Sequence, residues 1–339
     1  MPRPCALQAL FLQLAAKADV VMHNMRENAA RKLRCDEPSV RAVNPTIVYC
    51  TITGYGFTGP MAAERAYDPI MQARSGFASM QGNDDLGRPM MIRTIIADNA
   101  TALTAAQGIT AALFKRERTG QGEHVRIAML DASVAFLWPE AFARQTMMDA
   151  PGANEPQHYT RDIIYTTKDK QYIVAGTNTE SEWLGLCRAL ESVNPGLAED
   201  PRFLTGALRS KNVQERYETV DEAIGHFDQA DVLARLQAED VPSSPVNHPR
   251  SQVFDDPQVR ANELLFETEH PSAGRLLQPR GAAEFVSSPF QLRHHAPQHG
   301  ESTREVLAEI LPDAEASGEL DKLEESGVVS QLRLGEPKL

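Results

Sequence analysis

Thr46-Ile47-Val48-Tyr49-Cys50-Thr51-Ile52 is an uncharged run of β-branched and aromatic side chains, and it reads as a buried β-strand. Residues 28–33 before it have helical spacing, and Ala18-Asp19-Val20-Val21-Met22 is a second short apolar strand. Earlier still, Leu7, Leu10, Phe11 and Leu14 form a helical stripe over residues 6–18. Helix, strand, helix, strand in this order predicts an α/β fold, with a parallel sheet covered by helices.

Outward in the other direction lies a glycine-dense loop, Gly54-Tyr55-Gly56-Phe57-Thr58-Gly59-Pro60. A Gly-x-Gly-x-x-Gly string after a strand is one requirement of a dinucleotide site. Here Pro60 and charged residues follow it instead of a clean helix start, so a turn-rich loop is the better reading. Residues 98–114 are the clearest helix in the chain, rich in alanine and ending in Lys115-Arg116-Glu117-Arg118. Gly120 and Gly122 then turn the chain into a strand over 124–129, and another helix starts near Asp131.

A change of texture follows. Residues 1–148 form the expected large domain, and 149–165, with Pro151, Gly152 and Pro156, the expected linker. Residues 166–265 read as a smaller α+β domain, with a hairpin around Lys168-Asp169-Lys170 and helices over 183–190 and 231–238. Residues 266–339 read as a return segment and C-terminal helices, beginning with one at 302–311, that pack on the large domain.

Acidic residues outnumber basic ones by 46 to 34, a formal charge of −12, which argues against sequence-independent nucleic-acid binding. A local basic pocket for a small anion is compatible with that balance. No run of 18 apolar residues occurs, and Gln8, Gln13 and Lys17 break the stretch after Met1, so neither a membrane span nor a signal peptide is expected. The cytoplasm is the expected compartment. Cys5, Cys35, Cys50 and Cys187 have no metal-ligand spacing and read as reduced thiols. His294 and His295 are adjacent, so they cannot share an ion as an i, i+4 helical pair does, and a solvated loop suits them. Asp98, read from position alone, is an N-cap. Backbone N–H groups at a helix start also favour an ionised carboxylate, the form a nucleophile needs.

Ala18-Asp19-Val20-Val21-Met22-His23-Asn24-Met25-Arg26 resembles a pattern of the family III CoA-transferases, the CaiB–BaiF and formyl-CoA transferase group. Asn44-Pro45-Thr46-Ile47-Val48-Tyr49 with Thr53 to Pro60 is similar to that family's next block, as is Ala66-Tyr67-Asp68-Pro69-Ile70-Met71-Gln72-Ala73. Ile96-Ala97-Asp98, Arg116-Glu117-Arg118-Thr119-Gly120-Gln121-Gly122 and Leu130-Asp131-Ala132 continue the series. Glu239-Asp240-Val241-Pro242, Asp256-Pro257-Gln258-Val259 and Gly300-Glu301-Ser302-Thr303-Arg304 belong to its second half. Met25 stands where the family usually has Phe, Thr53 where it has Ser, and Glu27-Asn28 where it has Pro-Gly. The resemblance begins at the helix before Asn24, so a segment of roughly 60 to 80 residues, about two βαβ steps, is expected to be absent from the front.

The resemblance implies a Rossmann-like open sheet and an interlocked homodimer. It also implies an acyl-CoA:carboxylate CoA-transferase acting on an acyl-CoA and a small carboxylic acid, with the CoA thioester as substrate and no bound prosthetic group. Asp98 matches the nucleophile and Tyr67 a residue lining the reacting centre. Asn24, Met25, Lys32 and Arg65 fall where the family touches CoA. Two alternatives stay open: an α-methylacyl-CoA racemase, which places His where Tyr67 stands here, and a CoA-binding scaffold without turnover.

Overall fold

The computed structural model describes residues 3–82, 88–146, 148–149, 163–249 and 252–329 of the chain. No helix among them is long and apolar enough to cross a membrane. The chain divides into two compact units, Met1–Gln157 with Ala296–Leu339, and His158–His295. Most of the linker expected over 149–165 falls outside the described residues.

The first unit runs α1 (Arg3–Lys17), β1 (Val20–His23), α2 (Glu27–Leu33), α3 (Glu37–Val43), β2 (Val48–Thr53), α4 (Asp68–Ser75), α5 (Phe77–Met80), α6 (Ile96–Thr119), β3 (Glu123–Ala128) and α7 (Met129–Ala141). The three strands form one parallel sheet in the order β1-β2-β3, as the alternating pattern predicts. Register sets Val21 beside Tyr49 and Tyr49 beside His124, and sets His23 beside Thr51 and Thr51 beside Arg126. Side chains alternate between faces along a strand, so these residues share one face and their neighbours take the other.

Both faces are covered, which is why β1 and β2 read as largely apolar runs. On one, Tyr49, Ile47 and Val21 pack with Phe11 and Ala15 of α1 and Val40 of α3. On the other, Cys50, Ile52, Val125 and Ile127 pack with Ala105 and Ile109 of α6. Two polar ties hold the ends. The Asn44 amide donates to the carbonyls of Ala15 and Ala18 at 3.2 and 2.9 Å. The Arg116 guanidinium donates to Asp19 Oδ1 at 2.8 Å and so joins the end of α6 to the start of β1. Gly120 ends α6 at a φ of 69°, where a side chain would be strained.

One sequence expectation changes here. The helix read as starting at Asp98 begins at Ile96, so Asp98 lies in its first turn and is not its cap. The β-branched pair Ile95-Ile96 hides the start, because neither residue is a helix-start signal.

The second unit pairs β4 (Ile164–Thr166) with β5 (Tyr172–Ala175) as an antiparallel hairpin around 168–170. α8 (Glu180–Leu190), α9 (Gly206–Lys211), α10 (Val213–Ile224) and α11 (Gln229–Ala238) follow, and β6 (Ser243–Pro245) adds to β5. Trp183, Leu186, Phe203, Ile224 and Leu236 make its core. Beyond α12 (Pro257–Ala261), β7 (Leu265–His270) and β8 (Gly274–Pro279) form a separate hairpin. The first unit resumes with α13 (Thr303–Ile310), α14 (Pro312–Ala316) and α15 (Glu319–Glu325), whose Leu307, Ala314 and Leu320 cluster with Leu10 of α1.

Candidate active site

In an open parallel sheet the carboxyl ends of the strands leave a crevice where ligands bind. Here a cleft of about 1350 Å³ lies in the first unit, lined by residues that include the ends of β1 and β2, α2 and the start of α6. Asn24, Met25, Lys32, Arg65, Tyr67 and Asp98 all line it. Residues separated by up to 74 positions in sequence thus face one cavity.

Asp98 is half-buried in the first turn of α6, and the residue that caps that helix is Asp68. Asp68, 5% exposed, opens α4 directly after Tyr67. Its Oδ2 accepts the backbone N–H of Ala97 at 2.9 Å and of Asp98 at 3.1 Å, satisfying amides that a helix start leaves without partners. Its Oδ1 accepts from Gln72 Nε2 at 2.6 Å. Gln72 also takes the Ile92 amide at 2.9 Å, pinning the segment that leads into α6.

This corrects the expectation that the helix start favours an ionised Asp98. Burial pushes the Asp98 carboxyl above the usual carboxylate range, and the Asp68 carboxylate pushes it further the same way. The Asp68 charge occupies the amides that would have stabilised the Asp98 anion. A less stabilised carboxylate is the more basic one.

The glycine-dense loop after β2 is shaped by Thr53. Its Oγ1 accepts the Gly56 amide at 3.1 Å and lies 3.3 Å from the Ile127 carbonyl. Thr in place of the usual Ser therefore keeps the hydroxyl that forms the turn. Gly54 faces Ala66 so closely that a Cβ on it would overlap the Ala66 methyl, and Ala66 is the residue between Arg65 and Tyr67. Tyr67 is 66% exposed and open to the cleft.

Side chains of both charges line the cleft. Arg26, Lys32, Arg65 and Arg126 line the cleft, and Arg126 stacks on the Phe57 ring 3.7 Å from its centroid. Arg31 is paired with Glu27 at 2.6 Å. Guanidinium and ammonium groups at a cleft suit a phosphorylated ligand. Among the described residues no group of three or more His, Cys, Asp or Glu side chains could hold a metal ion.

Four residues that motif reading did not single out also line the cleft: His23, Tyr49, Thr51 and His124. Their signal was present in the strand register, since they alternate on the face opposite α6. Burial lowers the pKa of both histidines and raises that of Tyr49.

The sequence matches the description CoA-transferase family III over residues 6–303. The chain belongs to that family. Among family III relatives, the succinate–glutarate CoA-transferase of Agrobacterium fabrum is 29% identical over 312 residues, covering 91% of this chain and 76% of the relative. The succinyl-CoA:glutarate CoA-transferase of Mus musculus is 30% identical, over 94% of this chain and 72% of its own. A formyl-CoA:oxalate CoA-transferase from Streptomyces coelicolor is 27% identical over 94% and 80%. A CaiB/BaiF family protein from Brucella suis superposes with a TM-score of 0.75 at 27% identity, covering 89% of this chain and 78% of that one.

Proposed function

We propose that this family III chain transfers CoA from an acyl-CoA to a small carboxylic acid, with Asp98 as nucleophile. The supporting observation is the placement of Asp98 in the first turn of α6, opening on the cleft that also holds Asn24, Met25, Lys32, Arg65 and Tyr67.

The Asp98 carboxylate attacks the thioester carbonyl, and the C–S bond breaks to give a mixed anhydride and CoA thiolate. The thiolate attacks the Asp98 carbonyl of the anhydride, which forms aspartyl-CoA and releases the donor as its carboxylate. An acceptor carboxylate then attacks aspartyl-CoA, and the returning thiolate takes the acceptor acyl group and frees Asp98. Each step exchanges one acyl bond for another, with no net proton or electron change. The elevated basicity of Asp98 favours attack, and a half-buried position limits hydrolysis of the anhydride. Backbone N–H groups of the glycine-dense loop are the donors we assign to the developing oxyanions. Lys32 and Arg65 meet the phosphates of CoA, Asn24 and Met25 its body, and Tyr67 borders the reacting carbonyl. The relatives named for succinate, glutarate and oxalate point to a small dicarboxylate as acceptor. The family resemblance extends the reading to an interlocked homodimer working in the cytoplasm.

The test is mass spectrometry of the purified protein after incubation with succinyl-CoA and other acyl-CoAs, with borohydride or hydroxylamine trapping. An adduct at Asp98, absent in Asp98→Asn, is expected. Folded protein that binds CoA yet never forms the adduct would overturn the nucleophile assignment. Solvent deuterium entering the acyl α-carbon would move the racemase reading ahead.

A further inference from the structure

The cleft contains a hydrogen-bonded group that the transfer steps leave unused. Tyr49 is 1% exposed on the central strand, and its hydroxyl donates to the Cys35 carbonyl at 2.5 Å. A phenol has one hydrogen, so the same oxygen accepts from His23, whose Nε2 lies 2.7 Å away. That assigns the proton of His23 to Nε2 and leaves Nδ1 as an acceptor. The Met25 amide donates to Nδ1 at 3.1 Å, which completes the set. Burial lowers the pKa of His23 and so keeps the ring in this neutral form at neutral pH. The ring of Tyr49 is itself held edge-on between His23 and His124, at centroid distances of 5.5 and 5.2 Å.

His23 and Cys35 bracket residues 24–34. That segment carries Asn24, Met25 and Lys32, and it is otherwise tied mainly within itself. α2 ends at Arg34 in the left-handed region, and the Cys35 amide returns to the Ala30 carbonyl at 3.0 Å. One phenolic oxygen therefore joins the entry and the exit of the segment. It sits on a strand paired on both sides, by β1 and by β3.

We infer that Tyr49, acting through His23 and the Cys35 carbonyl, is the positioning residue that holds residues 24–34 in the shape that receives CoA. This rests on the CoA-transferase reading above. A segment ordered before binding does not lose that freedom on binding, so the clamp strengthens affinity without touching the ligand. Neither Tyr49 nor His23 takes part in the acyl exchange, so its effect falls on binding and not on turnover.

The experiment compares wild type with Tyr49→Phe, His23→Leu and His23→Asn as full-length proteins. The Oδ1 of an asparagine at 23 stands where Nδ1 stands and can still accept the Met25 amide. Two quantities are read: hydrogen–deuterium exchange of peptides spanning 24–34, and the dissociation constant of CoA by calorimetry. Tyr49→Phe and His23→Leu are expected to speed exchange in that segment and to weaken CoA about tenfold, with kcat at saturating acyl-CoA within about twofold. His23→Asn keeps the acceptor for the Met25 amide but loses the Nε2 donor to Tyr49, so it is expected to stay weaker than wild type and to recover only part of what His23→Leu loses. Unchanged CoA affinity in Tyr49→Phe, with the fold intact by circular dichroism, would overturn the inference. An equal fall in kcat would overturn it too. If Tyr49→Phe does not fold, the His23 variants decide, and wild-type CoA affinity in His23→Asn, which cuts the tie to Tyr49 while keeping the Met25 acceptor, would overturn the inference. Wild-type protein that binds no CoA sinks the transferase reading itself. The role given to the clamp then falls with it, and the exchange data show only whether the clamp orders the segment.

Discussion

The carboxylate of Asp68 accepts the backbone N–H of Asp98 at 3.1 Å, so the residue assigned as nucleophile is held by a second acid at the helix start. The same oxygen takes the Ala97 amide at 2.9 Å. Asp68 thus fixes where α6 begins, occupies its positive end, and raises the pKa of Asp98 through its charge.

Replacing Asp68 separates these effects. Asp68→Ala leaves the Ala97 and Asp98 amides without their acceptor, while Gln72 Nε2 keeps the Ile92 and Thr94 carbonyls, and is expected to cost about 1–3 kcal/mol in urea unfolding. Asp68→Asn removes the charge while keeping one acceptor oxygen. The acid limb of kcat/KM, which reports ionisation of Asp98, is expected to move to lower pH in this variant. An acid limb that stays in place would show that burial alone sets the basicity of Asp98.

Asp98 itself works against folding at neutral pH. Its pKa in the folded protein lies above the ordinary value, with burial the larger cause and Asp68 the smaller. Stability from such a group is fully present below the unfolded pKa, near 3.9, and is lost as pH rises through the folded value. Asp98→Asn, which abolishes trapping and should cut exchange at least about 10³-fold, is therefore expected to melt higher than wild type at pH 7.5. The gap should narrow as pH falls through the folded-state pKa of Asp98. Calorimetric melts over a descending pH series check this, and a variant that melts lower at pH 7.5 contradicts it.

The parallel sheet was legible because both of its faces are buried, so a central strand such as Val48 to Ile52 is an uncharged run rich in β-branched and aromatic side chains. The hairpin around 168–170 was legible from its charged turn between two apolar runs. β7 and β8 were not, since Glu267, Glu269 and Arg275 interrupt the pattern and much of the hairpin is solvent-exposed. Motif blocks named Asn24, Met25, Lys32, Arg65, Tyr67 and Asp98, and the structure sets them around one cleft. What sequence could not show was who holds them. Asp68 and Asp98 stand 30 positions apart, and Tyr49 meets His23 across 26, so only strand register and helix placement bring each pair together.

In the second unit, Arg209 is a buried cation, 6% exposed, that donates to the Phe203 carbonyl at 2.9 Å and lies over the Trp183 ring. Its carboxylate partner Glu180 is largely exposed. Arg209→Ala removes the guanidinium from a packed site and is expected to destabilise the protein by about 2–4 kcal/mol. Glu180→Gln keeps an acceptor at the surface end of the pair and should cost less than about 1 kcal/mol. Urea unfolding of both variants tests the asymmetry. Equal losses would mean that the ion pair, and not the buried packing of Arg209, is what stabilises this unit.

Gly54 and Ala66 form a contact that the site depends on. The Gly54 carbonyl accepts the Leu130 amide at 3.0 Å, so the backbone at 54 is pinned from the far side and cannot retreat from a new methyl group. The strain of Gly54→Ala must then be relieved at Ala66, whose chain neighbours are Arg65 and Tyr67. Overpacking of this kind costs about 1–3 kcal/mol. Displacing Arg65 and Tyr67 should also raise KM for acyl-CoA about tenfold. Ala66→Gly makes room for the methyl, so the double variant Gly54→Ala, Ala66→Gly is expected to regain most of both losses. Ala66→Gly alone should cost no more than about 1 kcal/mol. The double-mutant cycle is read in melting temperature and in KM. Additive losses would show that the methyl is accommodated elsewhere, and that Gly54 serves the turn rather than the placement of Arg65 and Tyr67.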